Sequence, residues 1–122
     1  MPIINIKIII KNKDDFRKEK AKAILLDKKL KYQENDQTKV NFNYTNNELL
    51  RENQKIKMKY LFSEQKETKG IIYLKDLKKY IDIPIKTNKI KRNNNSIYIE
   101  YMINNNKYYY EIEEIIWVSK KN

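Results

Sequence analysis

"KIKMKYLF", residues 55–62, alternates lysine with apolar side chains and then ends apolar. In an extended chain successive side chains point to opposite faces. Ile56, Met58, Tyr60 and Phe62 then share one face, with Lys55, Lys57 and Lys59 opposite. The stretch reads as a strand with one dry and one wet face.

The same period recurs along the chain. In residues 3–11, Ile4, Ile6, Ile8 and Ile10 align against Asn5, Lys7 and Lys11; "TKVNFNY" aligns Val40, Phe42 and Tyr44. "IDIPIKT" aligns Ile81, Ile83 and Ile85, and "IYIEYMI" aligns Ile97, Ile99, Tyr101 and Ile103. "KYYYEIEEI" sets Tyr108, Tyr110 and Ile112 against Tyr109, Glu111 and Glu113. Turn signals separate these runs: "ENDQ" at 34–37, "TNN" at 45–47, "SEQKETKG" at 63–70, "RNNN" at 92–95 and "NNN" at 104–106. Asparagine tolerates the left-handed backbone of tight turns and can stand in for glycine, of which the chain has one. Short one-sided strands at this spacing predict an antiparallel meander, closed as a barrel or folded as a sandwich. Two segments depart from the pattern. Residues 14–27, "DDFRKEKAKAILLD", and residues 74–81, "LKDLKKYI", carry helix start signals or helical spacing. Each reads as a short helix, or as helical propensity overridden by sheet pairing. No repeat or linker divides the chain, so residues 1–122 read as a single domain.

Composition limits the chemistry. The net charge is +11, carried by lysines along the whole chain rather than by a tail. Such a surface favours weak association with nucleic acid or an anionic membrane in general, although a lysine-rich, asparagine-rich composition is also what AT-rich codons produce. Only Arg17, Arg51 and Arg92 are arginine, so each is more informative than a lysine. With no histidine and no cysteine, the commonest general base, the thiol nucleophile and most zinc ligands are missing. Ser63, Ser96 and Ser119 lie in no nucleophile elbow, and Gly70 alone builds no phosphate loop. Glu111, Glu113 and Glu114, like Asp14 and Asp15, read as solvated acids rather than a catalytic pair. The expectation is a protein that is not an enzyme and needs neither metal nor cofactor. The opening "PIINIKIII" is too short and too often interrupted to span a bilayer, which leaves a cytoplasmic protein without a membrane partner as the default. Tyr98 and Tyr109, on the wetter face, are the candidates for stacking on nucleic-acid bases.

From about residue 29 onward, the order of "KLKYQEN", "ELLREN", "IKMKYLF", "KETKGIIYL", "IPIKT", "SIYIEYMI" and "KYYYEIEEI" resembles the YwiB-like family of bacterial domains of unknown function. Tyr32, Glu34, Arg51, Met58, Phe62, Gly70, Tyr73, Thr87 and Tyr101 fall at the matching positions. The resemblance implies an all-β, lipocalin-like (calycin-like) antiparallel barrel of about eight strands, and no known activity. In such a barrel Lys55, Lys57 and Lys59 point outward into water. The interior of an eight-stranded barrel is just wide enough for side chains or one small ligand. A small, partly apolar or anionic ligand is therefore expected inside or at the mouth, lined by Tyr32, Phe42, Met58, Tyr60, Tyr101 and Tyr108, with Arg51 as anchor. An interior guanidinium must be paired, so Arg51 calls for Glu34, tyrosine hydroxyls, backbone carbonyls or an anion. The alternative expectation is a basic interaction module for nucleic acid or an acidic protein, including a phage- or plasmid-type inhibitor.

Overall fold

The computed structural model describes residues 3–93 and 95–114. Ten strands follow one another in it: β1 (Ile3–Asn12), β2 (Phe16–Leu26), β3 (Lys29–Gln33), β4 (Lys39–Asn43), β5 (Glu48–Glu52), β6 (Ile56–Leu61), β7 (Thr68–Leu74), β8 (Lys79–Arg92), β9 (Ser96–Ile103) and β10 (Asn106–Glu114). Each pairs antiparallel with the next, and β1 pairs with β10, so the meander closes on itself as a barrel. Closure gives every strand two neighbours, although the β3-facing edge of Phe16–Lys22 and the β9-facing edge of Lys79–Ile85 have no ladder partner.

Ten strands replace the eight expected, and of the two readings of residues 14–27 and 74–81, strand and turn rather than helix hold among the described residues. Residues 16–26 form β2, paired with β1 from Lys11↔Phe16 to Ile3↔Ile24. Its lysines, alanines and glutamates are good helix formers, but β1 supplies ladder partners along Phe16–Ile24 and β3 along Ala23–Leu26, and pairing overrides propensity. In residues 74–81, Leu74 ends β7, a four-residue turn follows with Lys78 at φ 51°, and β8 begins. Leu77 and Ile81, the apolar stripe of the expected helix, are exposed at the tip of that hairpin.

The turns are built largely as read. Asn104 and Asn105, at φ 51° and 70°, form the two-residue link between β9 and β10. Two consecutive positive φ values define the hairpin turn whose twist matches its strands. Asp27 and Lys28 make the same link between β2 and β3 without asparagine or glycine.

Inward residues fill the barrel. Ile6, Ile8, Leu30, Phe42, Phe62, Ile85, Ile97, Ile99 and Ile112 are almost completely buried, and Tyr32, Tyr60, Tyr101 and Tyr110 join them. Barrel diameter grows with strand number, and these aromatic rings occupy the extra width. Gly70 makes this possible: a Cβ there would lie 2.7 Å from the Tyr60 ring and 2.9 Å from Ile85. Pro84 sits where β8 has β7 alone as a neighbour, because pairing with β9 begins at Lys86. Its missing N–H therefore breaks no ladder on the β9 side. Pairing passes from β7 to β9 between Ile85 and Lys86, and a register shift between Thr87 and Lys89 follows.

Candidate functional site

The barrel has two mouths. At the lower mouth β1 turns into β2 and β3 into β4; at the upper mouth β1 begins, β10 ends, and β2 turns into β3.

Arg51 points inward near the lower mouth. Its Nη2 donates to Glu34 Oε1 at 2.5 Å, and Arg17 Nη2 reaches the same oxygen at 3.5 Å. Arg17 also lies 3.4 Å from Glu19, whose other oxygen accepts from the Asn35 amide. Two guanidinium groups thus face two carboxylates, and the cluster is neutral. Glu34 is sealed, with its side chain 1% exposed, while that of Arg51 is 22% exposed. Burial works against the charged guanidinium, but Glu34 more than offsets it, and the Arg51 pKa rises above its ordinary value. Arg51 Nε and Glu34 Oε2 are buried without a protein partner.

Behind this cluster the tyrosines close the interior. Tyr32 and Tyr110 meet hydroxyl to hydroxyl at 2.5 Å, tying β3 to β10 across the barrel. Tyr101 packs against Tyr60, Phe62 and Tyr108, with Tyr108 stacked at 5.4 Å. Burial pushes the Tyr32, Tyr101 and Tyr110 hydroxyls up, so they are neutral well beyond physiological pH. Of the residues expected to line a ligand, Arg51, Tyr32, Tyr60, Tyr101, Met58 and Tyr108 do face inward in the lower half; Phe42 lies deeper, against Tyr44 and Tyr110. Phe42, Tyr32, Tyr60 and Tyr101 are packed core, and only Arg51, Met58 and Tyr108 remain half-exposed.

A groove of about 720 Å³ at the lower mouth, along the β3–β4 and β5–β6 turns, is lined by polar and charged side chains such as Asp36, Lys39, Glu52 and Lys75, whereas the space with an apolar floor is at the upper mouth. A cleft of about 490 Å³ has Ile4, Ile6, Leu25, Leu30 and Ile112 as its floor and Tyr44, Arg92 and Glu114 at its rim. Arg92 stands over the Tyr44 ring, 5.7 Å from its centroid, and its guanidinium donates to Asn47 Oδ1. Burial pushes the Tyr44 pKa up, with Arg92 opposing and Glu114 reinforcing the shift. Lys28, held at the rim by its left-handed turn, adds a second cation. The volume suits a small ligand, and an apolar floor with few polar groups is the usual make-up of such sites. Sequence reading passed over Arg92 and Tyr44 as site residues; the rarity of arginine was the one signal that marked Arg92.

On the outer wall, Tyr98 and Tyr109 lie beside each other with rings 6.0 Å apart. Their cross-strand partners on one side are Glu111 and Glu100 and on the other Lys91 and Lys11, with Lys11 5.4 Å from the Tyr109 ring centroid, so the aromatic pair sits among charges of both signs. Lys57 and Lys59 are exposed, with Lys59 3.4 Å from Glu48.

No family model and no curated protein matches the sequence. Among solved structures, the crystal structure of the YwiB protein from Bacillus subtilis superposes with a TM-score of 0.60 at 14% identity, over 93% of this chain and 91% of that one. The chain has the fold of YwiB. The likeness supports the family resemblance read from residues 29 onward, and it extends the match to nearly the whole chain, β2 included. No helix among the described residues is long and apolar enough to cross a membrane.

Proposed function

We propose that this barrel is a small-molecule binding protein whose ligand enters the upper cleft, in the manner of a lipocalin-like barrel that receives a ligand at its mouth. The observation that carries the reading is the apolar floor of Ile4, Leu25, Leu30 and Ile112 beneath a rim cation, Arg92. A ligand with an apolar body and one anionic group fits both. The body covers the isoleucines and leucines, and burial contributes about 25 cal/mol per Å² of apolar surface. The anionic group meets Arg92 and Lys28, whose combined charge exceeds that of Glu114 by one. Arg51 is the weaker anchor, because an anion there has to compete with the carboxylate of Glu34.

The role is binding rather than catalysis. Supporting this, the chain has no histidine or cysteine, and its interior tyrosines are held neutral. Thermal-shift titration of the purified chain with short alkyl and aryl carboxylates, and with their neutral amides, tests the proposal. The carboxylates are expected to raise the melting temperature with concentration, since a ligand at 100 times its Kd stabilises by about 2.7 kcal/mol. Arg92→Gln should remove the advantage of carboxylate over amide while leaving the ligand-free melting temperature nearly unchanged. Absence of any shift at millimolar concentration contradicts the proposal.

A further inference from the structure

Lysines are spread along the chain, yet the barrel does not spread them evenly over its wall. The outward positions of β2, β3 and β4 are Phe16, Lys18, Lys20, Lys22, Ile24, Leu26, Lys29, Lys31, Gln33, Lys39, Asn41 and Asn43, set by the registers with β1 and between the three strands. None is a carboxylate. Glu19 on β2 and Glu34 just after β3 point inward to Arg17 and Arg51, while the exposed acids Asp14, Asp15, Asp27 and Asp36 lie in the turns at the ends of these strands and Glu52 borders Lys39 on β5. Lys18, Lys20, Lys22, Lys29, Lys31 and Lys39 are all exposed, and among the described residues none of them makes an ion pair. The other strands mix carboxylates with lysines, although Lys57, Lys86, Lys89 and Lys91 are also exposed without an ion pair among the described residues. Lys59, Lys69 and Lys75 pair with Glu48, Asp82 and Glu52, and β9–β10 presents Glu100, Glu111 and Glu113. A codon bias toward lysine adds cations everywhere but does not clear acids from one face.

We infer that the outer face of β2–β4 binds the phosphate backbone of single-stranded nucleic acid. Lys18, Lys20 and Lys22 alternate on one strand, so their Cα atoms are spaced by about 7 Å, close to the separation of successive phosphates in an extended strand. Lys31 and Lys29 lie on β3 opposite Ile24 and Leu26, and Lys39 lies on β4 opposite Gln33, at about 4.8 Å per strand, so they continue the track past Lys22. The face carries no aromatic platform between the lysines, so recognition is of backbone charge rather than of base sequence. An anionic membrane suits it less well: six lysines outnumber the three outward apolar side chains, Phe16, Ile24 and Leu26, which form no continuous apolar band along the face.

The test is fluorescence anisotropy of a labelled 20-nucleotide oligothymidylate with the full chain, from about 50 mM salt upward. Binding is expected, with log affinity falling against log salt at a slope near −4, since each single-strand phosphate contact contributes about 0.7 and six lysines are available. The triple variant K18Q/K20Q/K31Q should weaken binding at least about ten-fold and flatten the slope by about 2. K22Q/K29Q/K39Q carries the same expectation and serves if the first triple loses its strand circular dichroism. K57Q/K59Q/K69Q removes equal charge from β6–β7 and should change affinity by less than about three-fold. Three results overturn the inference: no binding by the unmodified chain, equal weakening by all triples, or lysine-dependent binding to phosphatidylserine vesicles without binding to the oligonucleotide.

Discussion

Arg51 shows how far single residues can be read in advance. Its position on an apolar strand face requires a partner, because an unpaired buried charge is too costly to keep; Glu34, Cα-distant in sequence but inward-facing, supplies it. Removing one member of such a pair strands the other. Arg51→Met is expected to cost about 3 kcal/mol in urea unfolding, while R51M/E34L should cost about 2 kcal/mol less than the two single changes added together. Additivity within about 0.5 kcal/mol means the pair is not coupled. Gly70 gives a second case. Its chain position resembled a family feature, but only the closed barrel reveals that the Tyr60 ring lies where a side chain would go. Gly70→Ala should destabilise by about 1–3 kcal/mol through overpacking, and the added Tyr60→Phe change should not restore it, since the hydroxyl is not what clashes. What no residue announces is its depth along the barrel axis. Alternation tells inside from outside, whereas register decides that Phe42 and Tyr60 are core and that Arg92 rims the cleft.

At the level of elements, the strands with apolar inward faces were legible and β2 was not. Its inward positions begin with Arg17 and Glu19, polar groups that pair inside the lower mouth, so its alternation is not one of apolar against polar. A stretch of lysine, glutamate and alanine then reads as helix. β8 is the least uniform strand. Its first half has ladder partners on β7 alone and its second half on β9 alone, and the hairpin tip leaves Leu77 and Tyr80 exposed at 64% and 72%. Segments with fewer contacts and exposed ladders open at lower free energy. Amide hydrogen exchange should therefore be faster across residues 79–84 than across residues 97–101 of β9. Equal protection of the two segments contradicts the one-sided pairing of β8.

The whole molecule couples a sealed interior to its pH response. Tyr32, Tyr101 and Tyr110 have hydroxyl pKa values pushed up by burial, above the ordinary value of about 10 in an unfolded chain. Their contribution to stability is complete below pH 10 and is lost as pH rises from there toward the folded values, because only the unfolded state releases the protons. Each such group removes about 1.4 kcal/mol per pH unit in that window. The urea midpoint should hold to about pH 9.5 and then fall, and the Tyr110→Phe variant should fall less steeply; a flat profile to pH 11.5 contradicts the sealed interior. The packing that fills the lower half with core side chains is the ground on which we propose that a ligand binds at the upper cleft, and that proposal has a direct measurement. A crystal structure of the full chain grown with a short aryl carboxylate should show the ring on Ile4, Leu30 and Ile112 and the carboxylate against Arg92. Density for the same carboxylate at Arg51, with the upper cleft filled by protein side chains, contradicts it.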